Sequence, residues 1–324
     1  MKKPIIAICY DFDGTLSPGN MQEYDFFSSL GCKKEDFWEE SSLFAKEHHV
    51  DPILSYMRLM IRKAKEGATP TTLKALKKYG KSVELFPGVK DWFDRVSRFG
   101  EEQGACIEHY IVSSGLKEMI EGTSIGKKFK KIYACSFVYD NNDVPEWPAV
   151  AVNYTTKTQF LFRINKGITQ DDDHLEINAF LPDLERRIPF SRMLYIGDGA
   201  TDVPCMRLVK EKGGVSIAVF DPAKPKKKRE TLKLLAEGRV HFVAEAIYQP
   251  DSRVEKIVKA VICSISARSK VEMISTSIRK PKSRPGKTVP VESDDVTLDN
   301  KGTIEPTLTQ TSHVREDATD RGVL

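Results

Sequence analysis

Residues 5–15 read Ile-Ile-Ala-Ile-Cys-Tyr-Asp-Phe-Asp-Gly-Thr, an apolar run that changes abruptly into an acidic, glycine-containing turn. Such a run predicts a β-strand that is buried on both faces, which is typical of parallel sheets. Two lysines precede the run, as in a signal peptide, but Asp11 interrupts it before it forms the usual apolar segment of about 7 to 15 residues. We therefore interpret it as the first strand of a folded domain.

Three later segments also consist of an apolar run followed by small or acidic residues. They are His109–Val112, Met193–Ile196 and Val215–Phe220. Helix-compatible sequence separates these runs, so they predict an α/β fold in which crossover helices join the strands of a parallel sheet. The carboxyl ends of such strands meet at one edge of the sheet, and ligands bind at that edge. We expect the functional site there.

Composition along the chain divides it into three parts. They are a Rossmann-like, doubly wound core of residues 1–16 and 84–266, an α-helical cap of residues 17–83 inserted after the first strand, and a tail of residues 267–324. The cap contains an apolar stripe at helical spacing, formed by Ile53, Leu54, Met57, Met60, Ile61 and Ala64. A small β-hairpin is predicted between 134–139 and 150–154. The tail has no aromatic residue and is rich in Ser, Thr, Pro, Lys and Asp, so we expect it to be disordered.

The overall composition excludes several classes of protein. The chain has 324 residues, of which 40% are hydrophobic, enough for about two domains with a folded interior. Its 50 Lys and Arg nearly balance its 46 Asp and Glu, so we expect neither a nucleic-acid partner nor a membrane partner. The six cysteines lack the spacing of a zinc site or a disulfide framework, and we expect reduced thiols and a cytoplasmic location. The oligomeric state stays open.

Four motifs occur in a fixed order at or near the predicted strand ends. They are Asp11-Phe-Asp-Gly-Thr15, Ile111-Val-Ser-Ser-Gly115, Asn153-Tyr-Thr-Thr-Lys157 and Tyr195-Ile-Gly-Asp-Gly-Ala-Thr-Asp202. With these motifs the chain resembles the haloacid dehalogenase superfamily, in particular its phosphatase branch and the phosphoserine-phosphatase-like subfamily. The resemblance spans about residues 5–260.

The resemblance implies a hydrolase with an aspartate nucleophile. Asp11 would be the nucleophile, and Asp13 would be the general acid and base. Lys157, at the predicted start of a helix, would balance the charge of Asp11 and the phosphate, and Asp202 would orient Lys157 or a metal-bound water. Lys166 lies near the predicted end of the same helix, and we interpret it as a surface residue.

The same motifs supply groups that can hold the phosphate oxygens. Ser113 would contribute its hydroxyl, and the neighbouring Ser114 stays open as the residue that takes this role instead. Gly14 and Gly115 would offer backbone N–H groups, and Lys157 would add a positive charge. The basic string of residues 224–229 is interpreted as an exposed approach to a helix.

The aspartates also predict a metal ion. Several carboxylates at one sheet edge repel each other strongly in a partly buried site, so a cation is needed among them. An oxygen-rich site that receives phosphate suits Mg²⁺. We expect its ligands to be the carboxylate of Asp11, the backbone carbonyl of Asp13 and the carboxylate of Asp198.

The sequence therefore predicts a Mg²⁺-dependent phosphomonoester hydrolase that forms an aspartyl-phosphate and acts on a small phosphorylated metabolite. Phosphoserine is one possible substrate. Phosphoserine-specific members of the family carry a glutamate shortly after the nucleophile motif, whereas here the nearest one, Glu23, is displaced by residues 17–20. Two alternatives stay open. A phosphotransferase would be distinguished by product analysis with an alcohol acceptor, and a non-catalytic binding or scaffold protein would show no turnover.

Overall fold

The first strand, β1 (Ile5–Tyr10), lies at the centre of a seven-stranded sheet. The computed structural model describes residues 3–168, 177–182 and 185–279. The other strands are β2 (Cys106–Leu116), β3 (Lys131–Tyr139), β4 (Pro145–Val150), β5 (Met193–Gly197), β6 (Val215–Phe220) and β7 (Phe242–Glu245). Their order across the sheet is β4-β3-β2-β1-β5-β6-β7. All neighbours pair in parallel except β3 and β4, which are antiparallel. The predicted Rossmann-like α/β fold is confirmed.

Burial explains why β1 is the central strand. Its residues from Ile6 to Tyr10 are fully buried, since both neighbours in the sheet and helices on both faces cover them. Ile8 pairs with His109 of β2 on one side and with Leu194 of β5 on the other. This register brings the ends of β1, β2 and β5 to the same edge of the sheet.

Helices connect the strands and cover the sheet. They are α1 (Asp25–Leu30), α2 (Lys34–Glu47), α3 (Pro52–Glu66), α4 (Leu73–Tyr79), α5 (Val89–Glu102), α6 (Lys117–Gly122), α7 (Lys157–Lys166), α8 (Val203–Glu211), α9 (Pro225–Ala236) and α10 (Arg253–Arg279). The first four follow β1, in the segment where the sequence predicts an inserted helical unit. Among the described residues, no helix combines the length and the apolarity that crossing a membrane requires.

The small hairpin forms, but its second arm differs from the prediction. The sequence placed that arm at 150–154, whereas β4 spans Pro145–Val150 and residues 151–156 lead into α7. β4 contains two prolines, Pro145 and Pro148, which lack the backbone N–H that a central strand needs. Because β4 is an edge strand with one neighbour, a missing N–H on its outer side costs little.

The predicted start of the disordered tail is also wrong. Residues 267–279 continue α10, and the rest of the predicted tail, 280–324, lies outside the described residues. The buried side chains of Val254, Val258, Ile262 and Ile265 hold the first turns of α10 against the sheet. Once these turns are fixed, each further residue adds one hydrogen bond at a small cost in entropy, so the helix extends beyond its apolar stripe.

The helical segment after β1 is joined to the rest of the fold through two glycines. A Cβ at Gly80 would overlap the backbone of Met119, and a Cβ at Gly122 would overlap the Lys77 carbonyl. The backbones at the end of α4 and in α6 therefore touch directly. This contact fixes α4 next to α6, which directly follows the second motif at the end of β2.

We predict that Gly122→Ala lowers the free energy of unfolding by about 1 to 3 kcal/mol, because the added methyl group must push the two backbones apart. Gly19→Ala is the matched control, since the nearest atoms to its Cβ would be 3.5 Å away. Urea unfolding followed by circular dichroism measures both values. Equal stability of the two variants would contradict the close-contact interpretation.

Candidate active site

The four predicted motifs meet in one cavity of about 470 Å³ at the carboxyl edge of the sheet. Residues from these motifs that line it are Asp11, Asp13, Gly14, Ser113, Ser114, Gly115, Tyr154, Lys157, Asp198 and Thr201. Asp202 is fully buried behind this wall and contacts Lys157. The structure thus brings together every site residue that the sequence selected.

Lys157 is the buried cation of the site, with 1% of its side chain exposed. Its Nζ donates a hydrogen bond of 2.7 Å to Asp202 Oδ1 and lies 3.1 Å from Asp11 Oδ1. Burial opposes the charged ammonium, but Asp11 and Asp202 outweigh it and hold the pKa of Lys157 above its usual value. Lys166, at the other end of α7, instead donates to the carbonyls of Ile177 and Ala179.

Asp202 organises the groups around Lys157. Its Oδ1 also accepts a 2.8 Å hydrogen bond from the Tyr195 hydroxyl, and its Oδ2 accepts a 3.2 Å bond from the backbone N–H of Asp198. A Cβ at Gly197 would overlap this carboxylate, so the third residue of the fourth motif must be glycine for steric reasons. Asp202 therefore joins the end of β5 to α7.

Carboxylate oxygens of Asp11, Asp198 and Asp202 lie within 4.8 Å of one another. Burial and Asp202 raise the pKa of Asp11 to about 7, although Lys157 counteracts them. Burial and Asp202 likewise raise the pKa of Asp198. Asp11 Oδ1 is buried, and apart from its ion pair with Lys157 it has no hydrogen-bond partner among the described residues. Crowded, buried carboxylate oxygens of this kind fit a hard divalent cation, which would relieve their repulsion.

Asp13 has a different environment from Asp11. Its Oδ1 accepts a 3.0 Å hydrogen bond from the backbone N–H of Met21, which directs the side chain toward the loop before α1. Burial and the charge of Asp11 raise the pKa of Asp13 well above its usual value. The Asp13 carboxylate is not part of the cluster formed by Asp11, Asp198 and Asp202. The metal ligand predicted from Asp13 is its backbone carbonyl. A carboxyl group that keeps its proton is suited to donating it.

The wall formed by β2 holds three of the predicted phosphate-binding residues, Ser113, Ser114 and Gly115, whereas Gly14 lies in the turn after β1. Ser113 is 1% exposed, and its Oγ accepts a 3.2 Å hydrogen bond from the Gly115 N–H. Ser114 Oγ is buried without a hydrogen-bond partner among the residues described. Gly14 has φ +77°, and a Cβ there would overlap the Asp198 carboxylate. Glycine is therefore required in the first motif by both conformation and space.

Two lysines that reach the site were not selected from the sequence. Lys227 lies in the first turn of α9, and Lys224 is the residue before that helix. Lys227 Nζ donates a 3.0 Å hydrogen bond to Asp198 Oδ2, and Lys224 Nζ donates a 2.7 Å bond to the Pro18 carbonyl. Both line the cavity while staying partly exposed, so the basic string is an exposed approach to α9 in which two lysines also reach the site. Their position shortly after the end of β6 places them near the functional edge of the sheet, but the basic string does not show which of its lysines face the site.

The helical segment after β1 forms the opposite wall of the cavity. Glu23 lines this wall despite its displacement in the sequence, and its Oε1 accepts hydrogen bonds from Trp38 Nε1 at 2.9 Å and Asn20 Nδ2 at 2.5 Å. Tyr56, which the sequence analysis did not select, donates a 2.7 Å bond to the Ser114 carbonyl. The far wall thus combines one carboxylate with aromatic surface.

Comparison with known proteins agrees with this architecture. The family model of haloacid dehalogenase-like hydrolases matches residues 8–207 of the chain. An uncharacterized protein of Borreliella burgdorferi is 29% identical over 291 residues, which cover 81% of this chain and 98% of that protein.

Solved structures show a related fold. A probable phosphoserine phosphatase from Vibrio cholerae aligns with a TM-score of 0.52 and 15% identity, covering 82% of this chain and 67% of that one. A substrate-bound phosphoserine phosphatase complex aligns with a TM-score of 0.50 and 17% identity, covering 80% of this chain and 99% of that one. At such identities the likeness concerns the fold alone.

We predict that Lys157→Met lowers the free energy of unfolding by about 3 to 5 kcal/mol near neutral pH, because Asp11 and Asp202 lose their buried counter-charge. Without Lys157 the pKa of Asp11 should rise further, so the deficit should shrink as the pH is lowered. Lys166→Met is the matched control on the same helix, with an expected change within about 1 kcal/mol. Denaturant unfolding at several pH values tests both, and a deficit that grows on acidification would contradict the prediction.

Proposed function

Because the chain belongs to the haloacid dehalogenase-like hydrolase family, we propose that it is a Mg²⁺-dependent phosphatase that hydrolyses a small phosphomonoester through an aspartyl-phosphate. The observation that carries this proposal is the contact of Asp11 with Lys157, with Asp13 in the same cavity. This arrangement offers a carboxylate nucleophile, a fixed positive charge and a separate proton donor. A cytoplasmic location and the absence of a nucleic-acid partner stay predictions.

In the proposed first step, a carboxylate oxygen of Asp11 attacks the phosphorus atom. The bond between phosphorus and the ester oxygen breaks, and Asp13 gives its proton to that oxygen, so an alcohol leaves and an aspartyl-phosphate forms. The raised pKa of Asp13 supports this role, because the proton must be present when the substrate arrives. Its hydrogen bond from the Met21 N–H holds the carboxyl group in place.

In the second step the same groups act in reverse. Asp13, now ionised, accepts a proton from a water molecule whose oxygen attacks the phosphorus. The bond between phosphorus and Asp11 breaks, phosphate leaves, and both aspartates return to their starting states. Lys157 keeps its charge throughout, since its pKa lies above the usual value.

The remaining motif residues would neutralise and orient the phosphate. Asp11, the Asp13 carbonyl and Asp198 would hold Mg²⁺, which when bound supplies positive charge for the carboxylates and for the phosphate oxygens. Ser113 would donate its hydroxyl to a phosphate oxygen. Asp202 would position Lys157 rather than contact the substrate, because it is fully buried and its oxygens accept bonds from Lys157 and two other donors.

We propose that α1–α4 act as the cap that selects the substrate. The cavity volume of about 470 Å³ suits a small metabolite. Glu23 in the far wall accepts two hydrogen bonds and could also pair with a cationic group, so phosphoserine remains one candidate. The aromatic surface of Trp38 and Tyr56 would pack against the rest of the substrate.

We expect Mg²⁺-dependent phosphate release from an aryl phosphate or from a panel of phosphomonoesters, and loss of that activity with EDTA. Asp11→Asn should lower turnover by about 10⁴-fold or more, because an amide is not a nucleophile of comparable strength. Asp25→Asn is the control, since it removes an exposed carboxylate outside the cavity. Appreciable turnover by Asp11→Asn would exclude the aspartyl-phosphate mechanism.

A comparison of the two serines assigns the phosphate-binding hydroxyl. We expect Ser113→Ala to lower kcat/KM by about 10- to 100-fold, the usual effect of losing a hydrogen bond to a charged group. Ser114→Ala should change kcat/KM less than about threefold. The reverse order of effects would transfer the role to Ser114, whose hydroxyl lacks a partner among the described residues.

A further inference from the structure

We propose that Lys227 is an internal counter-ion that competes with the divalent cation for Asp198 and so weakens the binding of that cation. The proposal rests on one part of the proposed function, namely that the cation binds at Asp11 and Asp198. It assigns to the basic segment before and within α9 a role that the catalytic groups do not provide. The Lys227 ammonium would thus neutralise Asp198 when no divalent cation is bound.

The contacts of Asp198 leave it little freedom to avoid Lys227. One side of its carboxylate packs against Gly14, where even a Cβ would overlap it. The Oδ2 atom next to Gly14 also accepts the 3.0 Å hydrogen bond from Lys227 Nζ, and only 15% of the Asp198 side chain is exposed. A cation that binds Asp198 must therefore do so beside the Lys227 ammonium or displace it.

Electrostatic repulsion prevents Mg²⁺ and the Lys227 ammonium from both binding Asp198 tightly at the same time. Mg²⁺ binds carboxylate oxygens at about 2.1 Å, so an ion on the Asp198 oxygen that Lys227 contacts would lie within about 5 Å of Nζ. A divalent and a monovalent cation at this distance repel each other even where solvent partly screens them. Binding of the ion thus requires that Lys227 move away, and the cost appears as weaker affinity.

Lys227 differs from Lys157 in its ability to move. Lys157 is 1% exposed and is held by Asp202 as well as Asp11, whereas 42% of the Lys227 side chain is exposed. Lys227 has a flexible four-carbon stem that begins in the first turn of α9. After leaving Asp198, its ammonium would still face the cavity that also contains Ser113, where an anionic group of the substrate can take the place of Asp198.

Isothermal titration of Mg²⁺ into the full-length protein, without phosphate, tests the proposal. Lys227→Gln should bind Mg²⁺ about three- to tenfold more tightly than the wild type, because the competing charge is gone. Lys226→Gln is the matched control, since it makes the same charge change at an exposed neighbouring position and should bind like the wild type. Lys227→Arg, which keeps the charge, should also retain the weak binding.

Lys227→Ala is a second variant that removes the stem as well as the charge, and the same tightening is expected. Mg²⁺ binding by Lys227→Gln and Lys227→Ala that is equal to or weaker than wild-type binding would overturn the proposal, as would equal tightening in Lys226→Gln. Because the titration measures binding directly, its result does not depend on turnover. If Asp11→Asn keeps appreciable turnover while Lys227→Gln binds Mg²⁺ more tightly, the proposed mechanism is excluded and the role of Lys227 stands.

Discussion

A buried ammonium between two carboxylates is the interaction on which the site depends. Lys157 contacts Asp11 at the end of β1 and Asp202 behind the cavity wall, and all three side chains are buried. Isolated charges in such a place would be strongly unfavourable, so each needs the others. The ion pairs therefore fix the relative positions of β1, β5 and α7, which supply the groups of three motifs.

The support continues behind the first motif. The Tyr248 hydroxyl donates a 2.8 Å hydrogen bond to the Thr15 carbonyl, and Arg95 bonds to the Tyr248 carbonyl and pairs with the buried Glu255 at 2.6 Å. The turn that contains Asp11 is thus held from the side of α5 and α10 as well as from the sheet. A loop held in this way keeps its carboxylates at defined positions, which favours chemistry that depends on alignment.

The cavity has two walls with different physical characters. The sheet wall is rigid, since it consists of strand ends, glycines in close contact and buried ion pairs. The helical wall carries Glu23, Trp38 and Tyr56, and meets the rest of the fold through the backbone contact of Gly80 and Gly122. Under the proposed function, reaction chemistry and substrate choice would belong to separate parts of the chain, so that substrate choice would vary without disturbing the buried charges.

Sequence alone determined the central strands and the four motifs, because these depend on local features. The apolar run before Asp11 specifies a buried strand, and the acidic, glycine-containing turn specifies its functional end. The helical character of the segment after β1 was also predictable from its periodicity. The position at the helix start selected Lys157 over Lys166, and the structure places Lys157 in the cavity.

Tertiary structure decided the features that depend on neighbours distant in the sequence. Pro145 and Pro148 fit a strand only because β4 lies at the sheet edge, and α10 extends because its first turns are packed on the sheet. The direction of Lys227 toward Asp198, 29 residues away, could not follow from a basic string whose ordinary location is solvent. Side-chain direction is set by packing and by the positions of opposite charges, and a linear pattern contains neither.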